Sequence, residues 1–388
     1  MIDFDEALAL VAQAARPLGA EMVTLAEAKG RVLAAPVIAM VDSPPADVSA
    51  MDGYAVRDAD LPGRLEVAGE SFPGGGAGAL GPSQCIRIFT GGPVPEGAGR
   101  VVIQEDVTRE GGIASFGEPG SARHIRKRAG DFARGQMLLA AGTPIDARAL
   151  VAAAGADLGT LDVWRRPTLV ILGTGDELAE PGTARDTPGA IPESLSLGVA
   201  ALAQDMGGEI VGRRRLRDDL PAMERAAAEA LAAADLVVVT GGASVGEKDF
   251  AKAMFAPFGL ELVFSKVAIK PGKPVWLGRV GDRLVMGLPG NPTSAMVTAR
   301  LLLAPLIAGL GGRRPDLHWR RAKLAEGIGP CGDRETFVRA EWEGEAVRAF
   351  SNQDSGAQKT LADADLLIRR RAGAPAAGAG ETVEIIDF

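Results

Sequence analysis

The chain has 388 residues, 47 % of them apolar and 24 % charged, enough hydrophobic material for roughly two to four domains; despite 51 glycines and 25 prolines it is neither disordered nor collagen-like. Its 42 basic and 50 acidic side chains give a net charge of −8, and aromatics are only 4 %, which argues against nucleic acid as the main partner. Two cysteines exclude a disulfide framework and a Cys-rich zinc site, and two histidines leave little room for His-based metal sites or triads, so chemistry is expected to rest on Asp, Glu, Lys, Arg, Ser and backbone amides.

Asp3, Asp5 and Glu6 are wrong for a signal peptide. The most apolar late run, Val297 to Leu310, contains Arg300 and Pro305 and is too short to span a bilayer. A cytoplasmic protein with no membrane or nucleic-acid partner is expected. Asp3 and Glu6 fit an N-terminal cap ahead of a helix to about Ala15, and a second short helical stretch is predicted over Leu25 to Leu33. Ser43-Pro44-Pro45 breaks that pattern. Strands are then predicted at Leu65–Ala68, Cys85–Phe89 and Val101–Glu105, a β-rich lobe set between helical segments, the later one spanning Asp146 to Ala154.

From Pro167 the texture becomes α/β. Strands are predicted at Thr168–Leu172, Glu209–Leu216, Leu236–Thr240, Leu260–Ala268 and Leu284–Gly287. Helices are predicted over Glu193 to Met206, Leu220 to Ala234, Phe250–Phe258 and Thr293 to Leu310. Such alternation implies a doubly wound, mostly parallel sheet, whose ligands sit beyond the carboxyl ends of the strands. After Gly311-Gly312-Arg313-Arg314-Pro315, short strands at Arg320–Ala325, Thr336–Trp342, Leu366–Arg369 and Thr382–Ile386 suggest a small β-barrel or sandwich.

Four loops follow predicted strands of the α/β part. Gly173-Thr174-Gly175-Asp176-Glu177 is either an ordinary turn or a place where small residues admit a ligand and the acids bind metal or move protons. Gly241 to Asp249 offers two glycines, Ser244 and a helix start as an anion cradle, with Asp249 as a plain helix cap the alternative. Lys266 to Pro274 concentrates three of only nine lysines, and Pro271-Gly272 suggests a type II turn flanked by Lys270 and Lys273. Clustered cations repel unless an anion is near. In Gly287-Leu-Pro289-Gly290-Asn291-Pro292-Thr293-Ser294, Thr293 or Ser294 is positioned to cap the helix or donate to an anion.

With Ser49-Ala-Met-Asp-Gly-Tyr-Ala55, Ile86-Arg-Ile-Phe-Thr-Gly-Gly-Pro-Val-Pro95, Thr174-Gly-Asp-Glu177, Gly241-Gly-Ala-Ser-Val-Gly246, Lys270-Pro-Gly-Lys-Pro274 and Gly287-Leu-Pro-Gly-Asn-Pro292 in that order, the chain resembles the molybdopterin molybdenumtransferases, the MoeA and gephyrin E-domain family. The resemblance implies four regions. They are a split helical segment (1–42 and 135–165), an inserted β-rich lobe (43–134), an α/β molybdopterin-binding domain similar to molybdopterin adenylyltransferases (166–312) and a C-terminal β-barrel (313–388).

It also implies a homodimer that turns adenylylated molybdopterin and molybdate into molybdenum cofactor and AMP with Mg²⁺. Molybdopterin adenylyltransferase and recipient molybdoenzymes are its implied partners. Carried over by position, Lys270, Lys273, Ser294, Arg339 and Ser355 match the molybdate-binding residues, a donor set suited to a dianion. Asp176, Glu177, Asp218 and Asp249 match the acidic catalytic positions, with Glu177 and Asp249 at the metal. Thr174, Gly175, Gly241, Gly242, Ser244, Gly246, Pro289 and Pro292 match the cofactor-binding loops. Asp52, Thr90 and Asp131 match positions of the β-rich lobe that face the partner subunit's site.

Val48, Leu195 and Gly130 stand where the family usually has Asn, Asn and Glu. The alternative reading, a catalytically weak paralogue that binds molybdopterin or acts as a scaffold, rests on these departures. A third, an adenylyltransferase, rests on the α/β part alone.

Overall fold

A computed structural model describes residues 1–241 and 250–388. The chain forms two compact units. One comprises Met1–Glu21, Gly30–Ala34 and Val163–Phe388, the other Met22–Lys29 and Ala35–Asp162.

The larger unit begins with the helix Phe4–Ala14, whose Asp3 cap accepts the Glu6 backbone N–H at 2.7 Å. Its buried face, Phe4, Ala7, Val11 and Ala14, joins the main hydrophobic core. The predicted α/β sheet has six strands in the order Glu209–Leu216, Thr168–Thr174, Leu236–Thr240, Arg283–Leu288, Trp276–Val280, Glu261–Phe264. The first four are parallel and the last two antiparallel. Leu169, Ile171, Leu236 and Val238 enter one core, while Val170, Leu172, Val237 and Val239 enter the core on the other face. Burial on both faces is why these strands read as unbroken apolar runs.

The predicted Leu260–Ala268 strand is shorter than expected. Pairing ends at Phe264, and the chain re-pairs at Ile269–Lys270 in a different sheet. Trp276–Val280 was not anticipated as a strand; it forms a hairpin with Arg283–Leu288 through a turn in which Gly281 takes φ +56°. The Phe250–Phe258 segment is a short α-helix, Phe250–Ala253, followed by a 3₁₀ turn, Ala256–Phe258.

The last helix of this part runs over Pro292–Leu310 with a π-helical stretch at Ala299–Leu303, just before Pro305, which has no N–H to continue the ladder. It is longer than the 297–310 run suggests. Among the described residues it alone is long and apolar enough to cross a membrane, and 83 % of its apolar window is buried in the fold.

Five strands, Arg320–Leu324, Glu335–Glu343, Ala346–Ala349, Leu366–Arg370 and Thr382–Asp387, close into a barrel where Glu335–Glu343 pairs with Leu366–Arg370. Closure leaves no free edge inside the ring. Ile269–Lys270 adds to it in parallel, Lys270 opposite Thr336. Arg369 also ties barrel to N-terminal helix. It pairs with Asp5 at 2.5 Å and with Glu335, and lies over the Phe4 and Trp319 rings at 5.1 and 5.0 Å.

The smaller unit holds a six-stranded sheet in the order Arg100–Ile103, Gly53–Val56, Gln84–Ile88, Gly63–Ser71, Ile113–Phe116, Val107–Glu110. Tyr54, Leu65, Cys85 and Phe116 fill its core. The helix Ala147–Gly155 carries an Asp146 cap that accepts the Arg148 and Ala149 N–H groups at 2.9 Å each. The predicted helix at Leu25 to Leu33 is absent. The Leu25 N–H donates to the Gly159 carbonyl at 3.3 Å instead of opening a helix, and Gly30 turns the chain at φ +78°.

Two structural constraints are testable. Gly287 lies under Trp276, so that a Cβ there would fall 1.9 Å from Trp276 Nε1. Gly287→Ala is expected to destabilise the protein by about 1–3 kcal/mol or more through overpacking, read as a lower urea midpoint.

Asp235, 5 % exposed, sits at the amino end of the Leu236–Thr240 strand, opposite the carboxyl ends of the parallel strands. It accepts from Arg165, Arg283 and the Thr168 N–H and hydroxyl at 2.8–2.9 Å. Burial alone would raise its pKa, but Arg165 and the two Thr168 donors overcome that and bring it to about 2. The folded value lies below the unfolded one of about 3.9. Its stabilisation is therefore complete above about pH 4 and lost as pH falls through about 2. Asp235→Asn should lower stability at neutral pH and flatten the acid limb of the stability–pH curve.

Candidate active site

The carboxyl ends of three adjacent parallel strands, Thr168–Thr174, Leu236–Thr240 and Arg283–Leu288, converge on a cavity of about 320 Å³. Thr174 Oγ1 donates to the Thr240 carbonyl at 3.3 Å. Gly241 takes φ +87°, and a Cβ there would lie 2.5 Å from the Thr174 carbonyl oxygen. Only glycine allows the two loops to touch this way.

Thr174, Glu177, Gly241 and Pro292 line the cavity, as do Leu195 and Asn291. Gly175 and Pro289 are buried in the loops behind it. Asp176 Oδ1 accepts the Asp218 N–H at 3.2 Å, bringing those two acids together on neighbouring loops. Gly242, Ser244, Gly246 and Asp249 lie outside the described residues.

Leu195 opens the helix Leu195–Asp205 without a side-chain cap from Ser194. The buried Glu193 does the capping instead, accepting the Ser196 N–H at 2.8 Å and its hydroxyl. At the family's Asn position the cavity therefore has an apolar wall.

A second group of predicted residues gathers where the barrel meets the first turn of the Pro292–Leu310 helix. Arg339 is fully buried on a barrel strand. Its Nη1 donates to Thr293 Oγ1 and to the Asp354 carbonyl, both at 3.0 Å, and its Nε and backbone N donate to Gln353 Oε1 at 3.2 and 3.0 Å. Nη2 is buried without a partner among the described residues. All these acceptors are neutral. Burial pulls the Arg339 pKa below its ordinary value, with Asp354 opposing.

Ser355 accepts the Thr293 N–H through its carbonyl at 3.1 Å, and its hydroxyl accepts from Asn291 Nδ2 at 2.8 Å. The lysine loop presses on the same turn, because a Cβ on Gly272 would lie 2.2 Å from Thr298 Cγ2 and 3.6 Å from the Ser294 carbonyl. Lys270 and Lys273 are exposed on either side of that contact.

Two local expectations need correction. Neither Thr293 nor Ser294 caps the helix; Asn291 is the N-cap residue, and its side chain is turned to Ser355. In the lysine loop Gly272 does take positive φ (+110°), but the hydrogen-bonded turn is closed by the Val275 N–H donating to the Gly272 carbonyl at 3.1 Å, two residues beyond the expected Pro-Gly turn.

Asn291 and Gln353 are neighbours of this group that the sequence did not single out, and Thr293, expected there as a cap or an anion donor, instead accepts from Arg339. The polar run Ser351-Asn352-Gln353-Asp354-Ser355 after a barrel strand was the available signal.

In the smaller unit, Asp52 Oδ1 accepts the Thr90 N–H at 2.7 Å and its hydroxyl at 2.8 Å. Those two bonds hold the Asp52 carboxyl below its usual pKa. Asp131 is not part of that pair. It is exposed on another turn, where its N–H donates to the Ser43 carbonyl at 2.9 Å. A Cβ on the neighbouring Gly130 would lie 2.8 Å from the Lys127 carbonyl, so this turn is built for glycine rather than the family's Glu.

Among the described residues no group of three or more Asp, Glu, His or Cys side chains is placed to hold a metal ion.

Arg339→Lys should destabilise the protein by about 1–3 kcal/mol, because an ammonium cannot reach Thr293 and Gln353 together and leaves a buried acceptor unpaired; urea unfolding gives the value.

Three family descriptions match in succession: MoeA N-terminal region (domain I and II) at residues 2–156, probable molybdopterin binding domain at 170–309, and MoeA C-terminal region (domain IV) at 321–388. The chain is 35 % identical over 349 residues to the molybdopterin molybdenumtransferase of Haemophilus influenzae, covering 88 % of this chain and 85 % of that one. It is 31 % identical over 413 residues to the protein of that name from Bacillus subtilis, covering 99 % and 94 %. A crystal structure of the molybdopterin biosynthesis MoeA protein from Pyrococcus horikoshii superposes with a TM-score of 0.85 at 26 % identity, over the whole of both chains.

Proposed function

The chain belongs to the MoeA family of molybdopterin molybdenumtransferases, and on that premise we propose how its residues divide the work of inserting molybdenum during molybdenum cofactor biosynthesis. The cavity at the strand ends takes the adenylylated molybdopterin. The Arg339 group takes molybdate. The adenylate is hydrolysed, AMP leaves and molybdenum enters the dithiolene.

The observation that carries this division is the Arg339 guanidinium, buried with neutral partners and with Nη2 unpartnered. A buried cation in that state is short of an anion. Lys270, Lys273, Ser294 and Ser355 surround the same helix turn, and a tetrahedral dianion is matched by converging cations and hydroxyls.

In the neighbouring cavity, Thr174 and Gly241 bring backbone close to a bound phosphate. Glu177 and the Asp176–Asp218 pair supply the nearby carboxylates, and Asp249, outside the described residues, is assigned to the same set by its match to the family's position alone. Mg²⁺ normally keeps one or two carboxylates plus substrate phosphates as ligands. Glu177 and Asp249 would hold it in that mode, where it would offset charge on the phosphates.

The working form is a cytoplasmic homodimer. In it Asp52, Thr90 and Asp131 of one subunit serve the site of its partner, and molybdopterin adenylyltransferase and recipient molybdoenzymes are met in turn. No observation favours the scaffold alternative.

The test is AMP release and active cofactor from adenylylated molybdopterin, molybdate and Mg²⁺. Lys270→Ala with Lys273→Ala removes two exposed cations and little packing. At about 1.5–3 kcal/mol per charge-assisted hydrogen bond, molybdate binding should weaken by roughly two to four orders of magnitude, with the melting temperature nearly unchanged. Equal molybdate affinity in both proteins would refute the assignment.

A further inference from the structure

The barrel holds another cavity of about 320 Å³, apart from the one at the strand ends. The 328–334 loop forms one wall. Thr336, Gln353 and Arg370 stand among the residues of the others. Three cations border it, Lys270, Arg334 and Arg370, against a single carboxylate, Asp333. That carboxylate is 95 % exposed and only 3.9 Å from Arg334 Nε, so it neutralises little.

Arg370 is 7 % exposed. Its Nη2 donates to the Gly329 carbonyl at 3.3 Å and to the Pro375 carbonyl, and its Nε is buried without a partner among the described residues. Arg334 Nη1 has only the Ile269 carbonyl, at 3.4 Å. In a protein of net charge −8, two guanidiniums are thus gathered at one hollow, both hydrogen-bonded to carbonyl dipoles, with the exposed Asp333 as their carboxylate neighbour.

We propose that this barrel cavity is a second oxyanion site, in which Arg334 and Arg370 bind a tetrahedral dianion, either a free inorganic oxyanion or the phosphate of a nucleotide. The unpartnered Arg370 Nε is a donor waiting for an acceptor, and a guanidinium fork matches an oxyanion's paired oxygens. Gln353, which lines the cavity, also holds Arg339 through its Oε1, and Lys270 stands on the rim of both sites. An anion bound here would lie next to the Arg339 centre without using its donors.

Cys331 provides the readout. Its sulfur lines the cavity, 3.2 Å from Thr336 Oγ1 and 3.2 Å from the Arg334 carbonyl. The other cysteine, Cys85, is fully buried and its thiol is pushed up to about 11 by that burial, so it stays silent.

The experiment follows iodoacetamide alkylation of Cys331 in the full chain by mass spectrometry, with molybdate, inorganic phosphate or AMP added. Saturable protection is expected. Arg334→Ala and Arg370→Met should each raise the half-protecting concentration about ten- to a hundredfold, the size of one charge-assisted hydrogen bond. Lys273→Ala, outside the cavity, should leave protection unchanged even where it lowers molybdate affinity at the Arg339 centre, which separates this site from that one. The anion that protects at the lowest concentration identifies the source. Should Arg370→Met not fold, Arg334→Ala decides alone. Absence of protection by all three anions, or equal protection in wild type and Arg334→Ala, would overturn the proposal.

Discussion

The arrangement of the larger unit depends on one buried charge. Arg339 comes from a barrel strand, and its guanidinium ends against the first turn of the Pro292–Leu310 helix. Removing a cation from water costs several kcal/mol unless it is paired or well hydrogen-bonded. Here Thr293, Gln353 and the Asp354 carbonyl offset part of that cost, and Gln353 also returns a bond to the Arg339 carbonyl at 2.9 Å. These contacts set barrel, helix turn and the 351–355 loop in one register. Nη2, without a partner among the described residues, is the part of that cost left uncompensated.

The sheet adds a second constraint. Four parallel strands end on one edge, and glycine at Gly241 lets the loops beyond them pack backbone against backbone. At the other edge Asp235 gathers two arginines and Thr168, which hold its carboxyl well below the usual carboxylate range. Perturbed ionisation by itself would point to the wrong end of the sheet. The strand direction corrects it, because loops able to vary in shape follow the carboxyl ends.

The strand-end cavity and the barrel cavity differ in chemistry. The strand-end cavity is built from glycine backbone, threonines and carboxylates, with Leu195 as an apolar wall. The barrel cavity is bordered by arginines. Between them stands the lysine loop, attached to the barrel by the Lys270–Thr336 pairing and to the helix by the close approach of Gly272 to Thr298. Cations on a loop held at both ends lose little further freedom when an anion binds.

The sequence by itself determined the α/β alternation, because strands buried on both faces must be continuously apolar, as Leu236–Thr240 is. It determined the cap at Asp3 and the gathering of scarce lysines between Lys266 and Lys273. These are local signals, read over a few residues. Its helix at Leu25 to Leu33 failed because the Leu25 N–H finds its acceptor at Gly159, far along the chain, and no local period carries that information. Tertiary structure alone decided that Ile269–Lys270 leaves the α/β sheet for the barrel, that Asn291 turns to Ser355 rather than capping, and that Thr293 and Gln353 are the partners of Arg339. Thr293 and Arg339 are far apart in sequence, and only the packing of the barrel against the helix turn brings the Thr293 hydroxyl within 3.0 Å of Arg339 Nη1.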